Sequence, residues 1–189
     1  MLCDQLLNMT RNASTLLQDR MKEIADCVKG LSAPPRFAAC QLSDVIEDVE
    51  RTLGVIAEDR GVALQVHGLT DLPQIEADQR RLFNCFYNLV SNAIAEVPRG
   101  GTITVSAGLA MLGGMVQIAV TDTGGGMPPE VRDSLFTARA ISRKPGGTGL
   151  GTKIIKDVVD AHRGQITVQS QEGTGTTFTV LLPVHQVDR

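Results

Sequence analysis

The stretch DQRRLFNCFYNLVSNAIAEV, Asp78 to Val97, decides how the chain is read. Leu82, Phe86, Leu89, Val90, Ala93, Ile94 and Val97 recur at helical spacing, so the stretch predicts a strong helix with one buried face. Asn88 and Asn92 stand four residues apart and share a face beside that apolar stripe. Paired amides of this kind serve as capping or surface residues. Their oxygens are also hard ligands for Mg²⁺, which keeps several waters and shares nucleotide phosphates.

Working outward, the chain alternates between strand and helix patterns. Phe37 to Leu42 predicts a strand, and Ser43 an N-cap. Asp44, Glu47 and Asp48 follow in the first turns of a helix reaching about Arg60, where carboxylates favour the positive end of the dipole. Val62 to His67 alternates like a strand, and Pro73 to Glu76 reads as a short one. Beyond the central helix, Gly100-Gly101 makes a turn. Thr102 to Ser106 and Val116 to Thr121 read as strands flanking Gly113-Gly114. Residues 123–148 are loop-rich, Leu150 to His162 is helical, and Gln165 to Ser170 with Thr176 to Leu182 reads as a closing hairpin. An α/β fold follows, a two-layer sandwich of a mixed sheet covered by helices on one face.

Residues 1–32 predict a long N-terminal helix. Leu2, Leu6, Met9, Ala13, Leu17, Met21, Ile24, Val28 and Leu31 form a near-heptad stripe with one stutter, and such a seam calls for a partner helix. Ser32-Ala33-Pro34-Pro35 ends it. The expected division is therefore a helix at 1–32, a linker at 33–36 and a domain at 37–189.

Composition removes several classes. Lys plus Arg is 18 and Asp plus Glu is 21, so there is no basic excess for nucleic acid. No run approaches about 18 apolar residues, as a membrane span requires, and the first residues lack the layout of a signal peptide. Cys3, Cys27, Cys40 and Cys85 form no CxxC pair, which fits neither zinc nor a disulfide framework. Sequons at Asn8 and Asn12 are read as chance.

Glycine is the informative residue. Of 19 glycines, four precede residue 100 and fifteen follow from it. Nine of the latter fall in three clusters: Asp122-Thr-Gly124-Gly125-Gly126, Gly146-Gly147-Thr148-Gly149-Leu150-Gly151, and Gly173-Thr-Gly175-Thr-Thr177. Each alone fits a turn. The second runs straight into a predicted helix, whose N-terminal amides form a natural phosphate site. Neither GxxxxGK[ST] nor GxGxxG occurs, so P-loop and Rossmann readings are excluded.

The order Asn88-Leu-Val-Ser-Asn92-Ala93, Asp122-x-Gly124-x-Gly126, Phe136, Gly147-Thr-Gly149-Leu-Gly151 and Gly173-Thr-Gly175-Thr-Thr-Phe resembles the N, G1, F, G2 and G3 boxes of the sensor histidine kinase ATP-binding domain. That domain belongs to the superfamily of gyrase-type ATPases, Hsp90-type chaperones and MutL. The resemblance covers about residues 37–184 and implies a Bergerat-type fold. The helix at 1–32 resembles the second helix of the kinase dimerisation and phosphotransfer hairpin.

The resemblance implies the following roles. Asp122 accepts a hydrogen bond from the adenine amino group, and Thr177 completes that network. Gly124 and Gly126 let the chain pass close to the base. Asn92 with Asn88 holds Mg²⁺ against the triphosphate of ATP. Gly147, Thr148, Gly149, Leu150 and Gly151 present the phosphate-binding turn. Residues 127–148 form a lid, with Phe136 in the F box and Arg139, Arg143 or Lys144 reaching the γ-phosphate; Lys144 is the best aligned. The implied partners are a response regulator receiver domain and, through the N-terminal helix, a second copy of the chain. The implied setting is cytoplasmic, including the cytoplasmic part of a membrane-anchored sensor.

Departures from the family pattern matter. Ile141 stands near the place of the second F-box aromatic, Thr152 where the G2 box often has Leu, and Glu96 where many kinases carry Lys. The chain's only histidines are His67, His162 and His185, so its N-terminal helix has no acceptor. The expected activity is transfer of the γ-phosphoryl of Mg-ATP to a histidine outside this chain. The alternatives are an ATP hydrolase of the same superfamily and a non-catalytic dimeric scaffold. Hydrolases place Glu where Asn88 stands, which favours transfer over hydrolysis.

Overall fold

The computed structural model describes residues 34–110, 113–136 and 150–186. In order they form β1 (Ala38–Cys40), α1 (Leu42–Asp59), β2 (Ala63–His67), β3 (Ile75–Ala77), α2 (Gln79–Glu96), β4 (Thr102–Leu109), β5 (Met115–Asp122), α3 (Pro129–Ser134), α4 (Leu150–Ala161), β6 (Gln165–Gln171) and β7 (Gly175–Pro183). All lie within one compact unit, Pro35–Arg189. The expected helix at 1–32 lies outside the described residues.

Five strands make a sheet in the order β2-β4-β5-β7-β6, and β1 pairs with β3 in a separate ribbon. β2 runs parallel to β4 and the other pairs are antiparallel, so the sheet is mixed. One face is buried. Val116, Ile118, Val120 and Asp122 alternate inward along β5, while Gln117 and Thr121 stand exposed on the opposite face. Val45, Ile46, Val49 and Leu53 of α1, Leu82, Phe86, Leu89 and Val90 of α2, and Ile155 and Val159 of α4 complete the core. Burying each such side chain is worth about 1.5–3 kcal/mol. The mixed, one-sided sandwich matches the sequence expectation.

The ends of the elements differ in places. α1 starts at Leu42 with extended Gln41 before it, and Ser43 lies inside the helix. Leu42 is fully buried, and including it in the helical stripe outweighs the capping preference of Ser43. β4 continues through Gly108 to Leu109 because β5 offers partners that far, Leu109 opposite Val116. α3 opens on Pro129, whose missing N–H suits a first helical position. Asp78 caps α2, its side chain accepting the Arg81 N–H at 3.1 Å. No helix among the described residues is long and apolar enough to cross a membrane.

Candidate functional site

Asp122 ends the central strand β5, opposite Ile103 of β4 and Thr176 of β7. Its inward position leaves it only 7% exposed. Burial pushes its carboxyl above the usual range; hydrogen bonds from the Gly124 and Thr176 amides pull it back, and the Glu96 carboxylate pushes it up again. The Gly124 N–H donates to Oδ1 at 2.8 Å. The other lone pairs of the carboxylate leave capacity to accept a ligand amino group.

Two glycines hold this corner. Gly126 has φ +66°, and a β-carbon there would lie 2.0 Å from the Gln171 carbonyl oxygen. Gly175 has φ +133°, and a β-carbon there would lie 2.0 Å from the Asp122 carbonyl oxygen. No side chain fits either position without moving backbone. Gly124 lies against the end of α2, where a β-carbon would stand 3.0 Å from the Glu96 carbonyl oxygen.

α2 brings the amide pair to the same region. Asn88 is 6% exposed and its Nδ2 donates to the Asn84 carbonyl at 2.8 Å, leaving Oδ1 toward α4. A β-carbon built on Gly151 would lie 3.1 Å from Asn88 Oδ1 and 3.8 Å from Asn92 Nδ2. Glycine at 151 thus lets the first turn of α4 approach both amides. Free N–H groups of that turn carry the positive end of the helix dipole. Leu150 opens the helix.

Thr177 requires a correction. Its hydroxyl lies 3.0 Å from that of Thr121, which it faces across β5 and β7, on the exposed side of the sheet and away from Asp122. Thr176 is the buried partner of Asp122. Its hydroxyl lies 2.9 Å from Ser170 Oγ, which also accepts the Met127 N–H at 2.8 Å. Ser170 and Thr176 therefore tie the loop after Asp122 to the β6–β7 hairpin, supported by the Gly173 N–H donating to the Gly125 carbonyl. No local signal marks Thr176 over Thr177, because the register of β7 on β5 decides which of the two faces inward.

Phe136 packs edge-on against Phe178, with ring centroids 6.3 Å apart, so the start of the expected lid is anchored on the inner sheet face. Gly147, Thr148, Gly149, Arg139, Arg143 and Lys144 lie outside the described residues. Asn88, Asn92 and Gly151 meet where α2 faces the start of α4, Gly124 sets the loop after Asp122 against the end of α2, and Gly126 packs that loop on the β6–β7 hairpin. Among the described residues no cluster of three or more His, Cys, Asp or Glu could hold a metal ion. The Asn88 amide oxygen faces the start of α4 and the Asn92 amide stands beside it; an amide oxygen without a carboxylate cage suits a hard cation that brings its own phosphates and waters.

Comparison with known proteins identifies the family and the fold. Residues 77–186, more than half of the chain, match the family described as histidine kinase-, DNA gyrase B-, and HSP90-like ATPase. The chain is 34% identical over 184 residues to the sensor histidine kinase ZraS of Escherichia coli (strain K12), covering 96% of this chain and 38% of that protein. Full-length ShkA, solved in complex with AMPPNP, superposes with a TM-score of 0.78 at 24% identity, over 95% of this chain and 38% of that one. Histidine kinase ThkA, solved in complex with response regulator protein TrrA, superposes with a TM-score of 0.71 at 21% identity, over 90% of this chain and 49% of that one. These two share the fold. The chain spans under half the length of the curated relatives it matches. By sequence match and by architecture, the chain belongs to the histidine kinase-, DNA gyrase B- and HSP90-like ATPase family.

Proposed function

We propose that this chain is the ATP-binding catalytic portion of a sensor histidine kinase, passing the γ-phosphoryl of Mg-ATP to a histidine outside residues 1–189. The observation that carries this is the placement of the Asn88/Asn92 pair against the first turn of α4, on the helix whose end meets the loop after buried Asp122. Asp122 accepts from the adenine amino group, and Thr176 completes the contact in place of Thr177. Asn92 and Asn88 turn amide oxygens toward the metal. The turn 147–151 presents backbone N–H groups to the phosphates, and Lys144 and Arg143 approach the γ-phosphate from the lid. Bound Mg-ATP supplies the transferable phosphoryl group and the cationic charge that neutralises it. The chain contributes positioning and electrostatics, the main requirements of phosphoryl transfer.

Asn88 stands where a hydrolase would need a base. Its amide cannot take a proton from water at neutral pH, so transfer to an external nucleophile is favoured. We further propose that residues 1–32 form the second helix of a dimerisation hairpin, that 33–36 link it to the catalytic domain, and that a receiver domain takes the phosphoryl group onward in a cytoplasmic setting. The test uses γ-labelled ATP, the chain and a separate hairpin bearing a histidine. Acid-labile label on the hairpin, and none on the chain alone, is expected. Label released only as free phosphate would support the hydrolase instead.

A further inference from the structure

His162 is a buried histidine that the nucleotide chemistry does not use. It is 1% exposed and sits just beyond the end of α4. Its Nε2 accepts the backbone N–H of Asp78 at 3.0 Å, and its Nδ1 lies 2.8 Å from the Val158 carbonyl. Nε2 is the acceptor, so the proton resides on Nδ1, which donates to Val158. The Asp78 carboxylate is occupied separately, by the Arg36 and Arg81 amides. Phe37 closes the pocket with its ring edge-on, 5.2 Å from the imidazole. The Gln186 side chain donates to the His162 carbonyl at 3.1 Å.

This junction lies at the far end of the two helices that form the nucleotide site. α2 and α4 pack together and meet at two points: Asp78 with His162, and Asn88 in the middle of α2 with Gly151 at the start of α4. From Asp78 to Asn88 is ten residues, about 15 Å of helix, and from Gly151 to His162 is eleven, about 16.5 Å. The two spans match, so an antiparallel pair closes a rectangle. Ile155, Val158 and Val159 bury the apolar face of α4, and non-directional apolar packing discriminates weakly against sliding. A slip of one residue is about 1.5 Å, enough to move the Gly151 amides off the asparagine pair. A buried polar contact that fixes register is a well-attested use of such groups.

We propose that His162 is a positioning residue for the nucleotide site: by accepting the Asp78 N–H it sets the register of α4 on α2 and thereby the distance between the α4 amides and Asn88/Asn92. The proposal rests on the nucleotide reading of that site. Two near-isosteric variants of the full chain separate register from packing. In His162→Gln the amide oxygen reaches the Nε2 position and still accepts from Asp78. In His162→Asn the amide reaches only the Nδ1 position, keeps Val158 and leaves Asp78 unpaired.

Mg-ADP binding is measured at a temperature where thermal melts show all forms folded. His162→Asn is expected to bind about tenfold more weakly than wild type, and His162→Gln within about threefold of it. Wild-type affinity in His162→Asn, or equal loss in both variants, would overturn the positioning role and leave the nucleotide site standing. No binding by wild type would overturn the nucleotide reading and the positioning role with it.

Discussion

At Thr176 and Thr177, adjacent threonines on one strand have opposite fates. Side chains alternate across a strand, so only one of two neighbours can face the buried side. Thr176 faces Asp122 and Ser170; Thr177 faces Thr121 and water. Thr176→Val is therefore expected to weaken Mg-ADP binding by about tenfold, and Thr177→Val to leave it within about twofold, both read by fluorescence titration. The motif was legible in the sequence but its parity was not, because parity depends on the register with β5, a long-range pairing.

His162 shows a second limit of the same kind. The sequence gives a lone histidine before a glycine turn, and nothing local says that it accepts a hydrogen bond from a residue 84 positions away. Burial holds its imidazole below the ordinary value; the Val158 carbonyl and the Asp78 carboxylate act in the other direction and Arg81 adds to the depression. The unfolded chain then binds the proton more readily than the folded one. Stability from this group is full above the unfolded value of about 6.5 and falls as pH drops from there to the lowered folded value. Urea unfolding of wild type should show this loss between neutral and mildly acid pH, and His162→Gln should lack it.

At the scale of elements, helices and strands were readable wherever apolar periodicity was long. α2 and α4 follow their stripes to within a residue or two, and the β6–β7 hairpin follows its alternation. The start of α1 was misread because a buried leucine, a tertiary demand, overrides the local preference of Ser43. Short α3 has no buried residue, hence no stripe to reveal it. α4 ends in a left-handed residue, Arg163, at φ +53°, with its N–H and that of Gly164 donating back to Asp160 and Val159. Glycine favours that conformation and arginine does not. Arg163→Gly is expected to raise stability by about 0.5–1 kcal/mol in chemical denaturation, and a loss of stability would mean that the arginine side chain holds the turn.

For the whole molecule, one-sided burial explains the placement of the site. The sheet needs helices on one face only, and β5, α2 and α4 bring their chemical groups together at the edge of that layer. The glycine clusters told where the chain must come close to itself. They did not tell that Gly126 and Gly175 serve backbone packing while Gly151 opens space beside the asparagines, because those distances exist only after folding. The raised carboxyl of Asp122 adds a condition on the working site: nucleotide affinity should start to fall at a higher pH on acidification than an ordinary carboxylate would set, because protonation removes its acceptor character.

The central claim is that buried Asp122 recognises an adenine nucleotide. Calorimetric titration of Mg-ADP into the wild-type chain and Asp122→Asn addresses it most directly. The substitution keeps the size of the side chain and replaces one acceptor oxygen with a donor NH₂. Saturable binding to wild type with no detectable heat for a folded Asp122→Asn chain is the expected result. No binding to wild type, or equal affinity in the two, would contradict it.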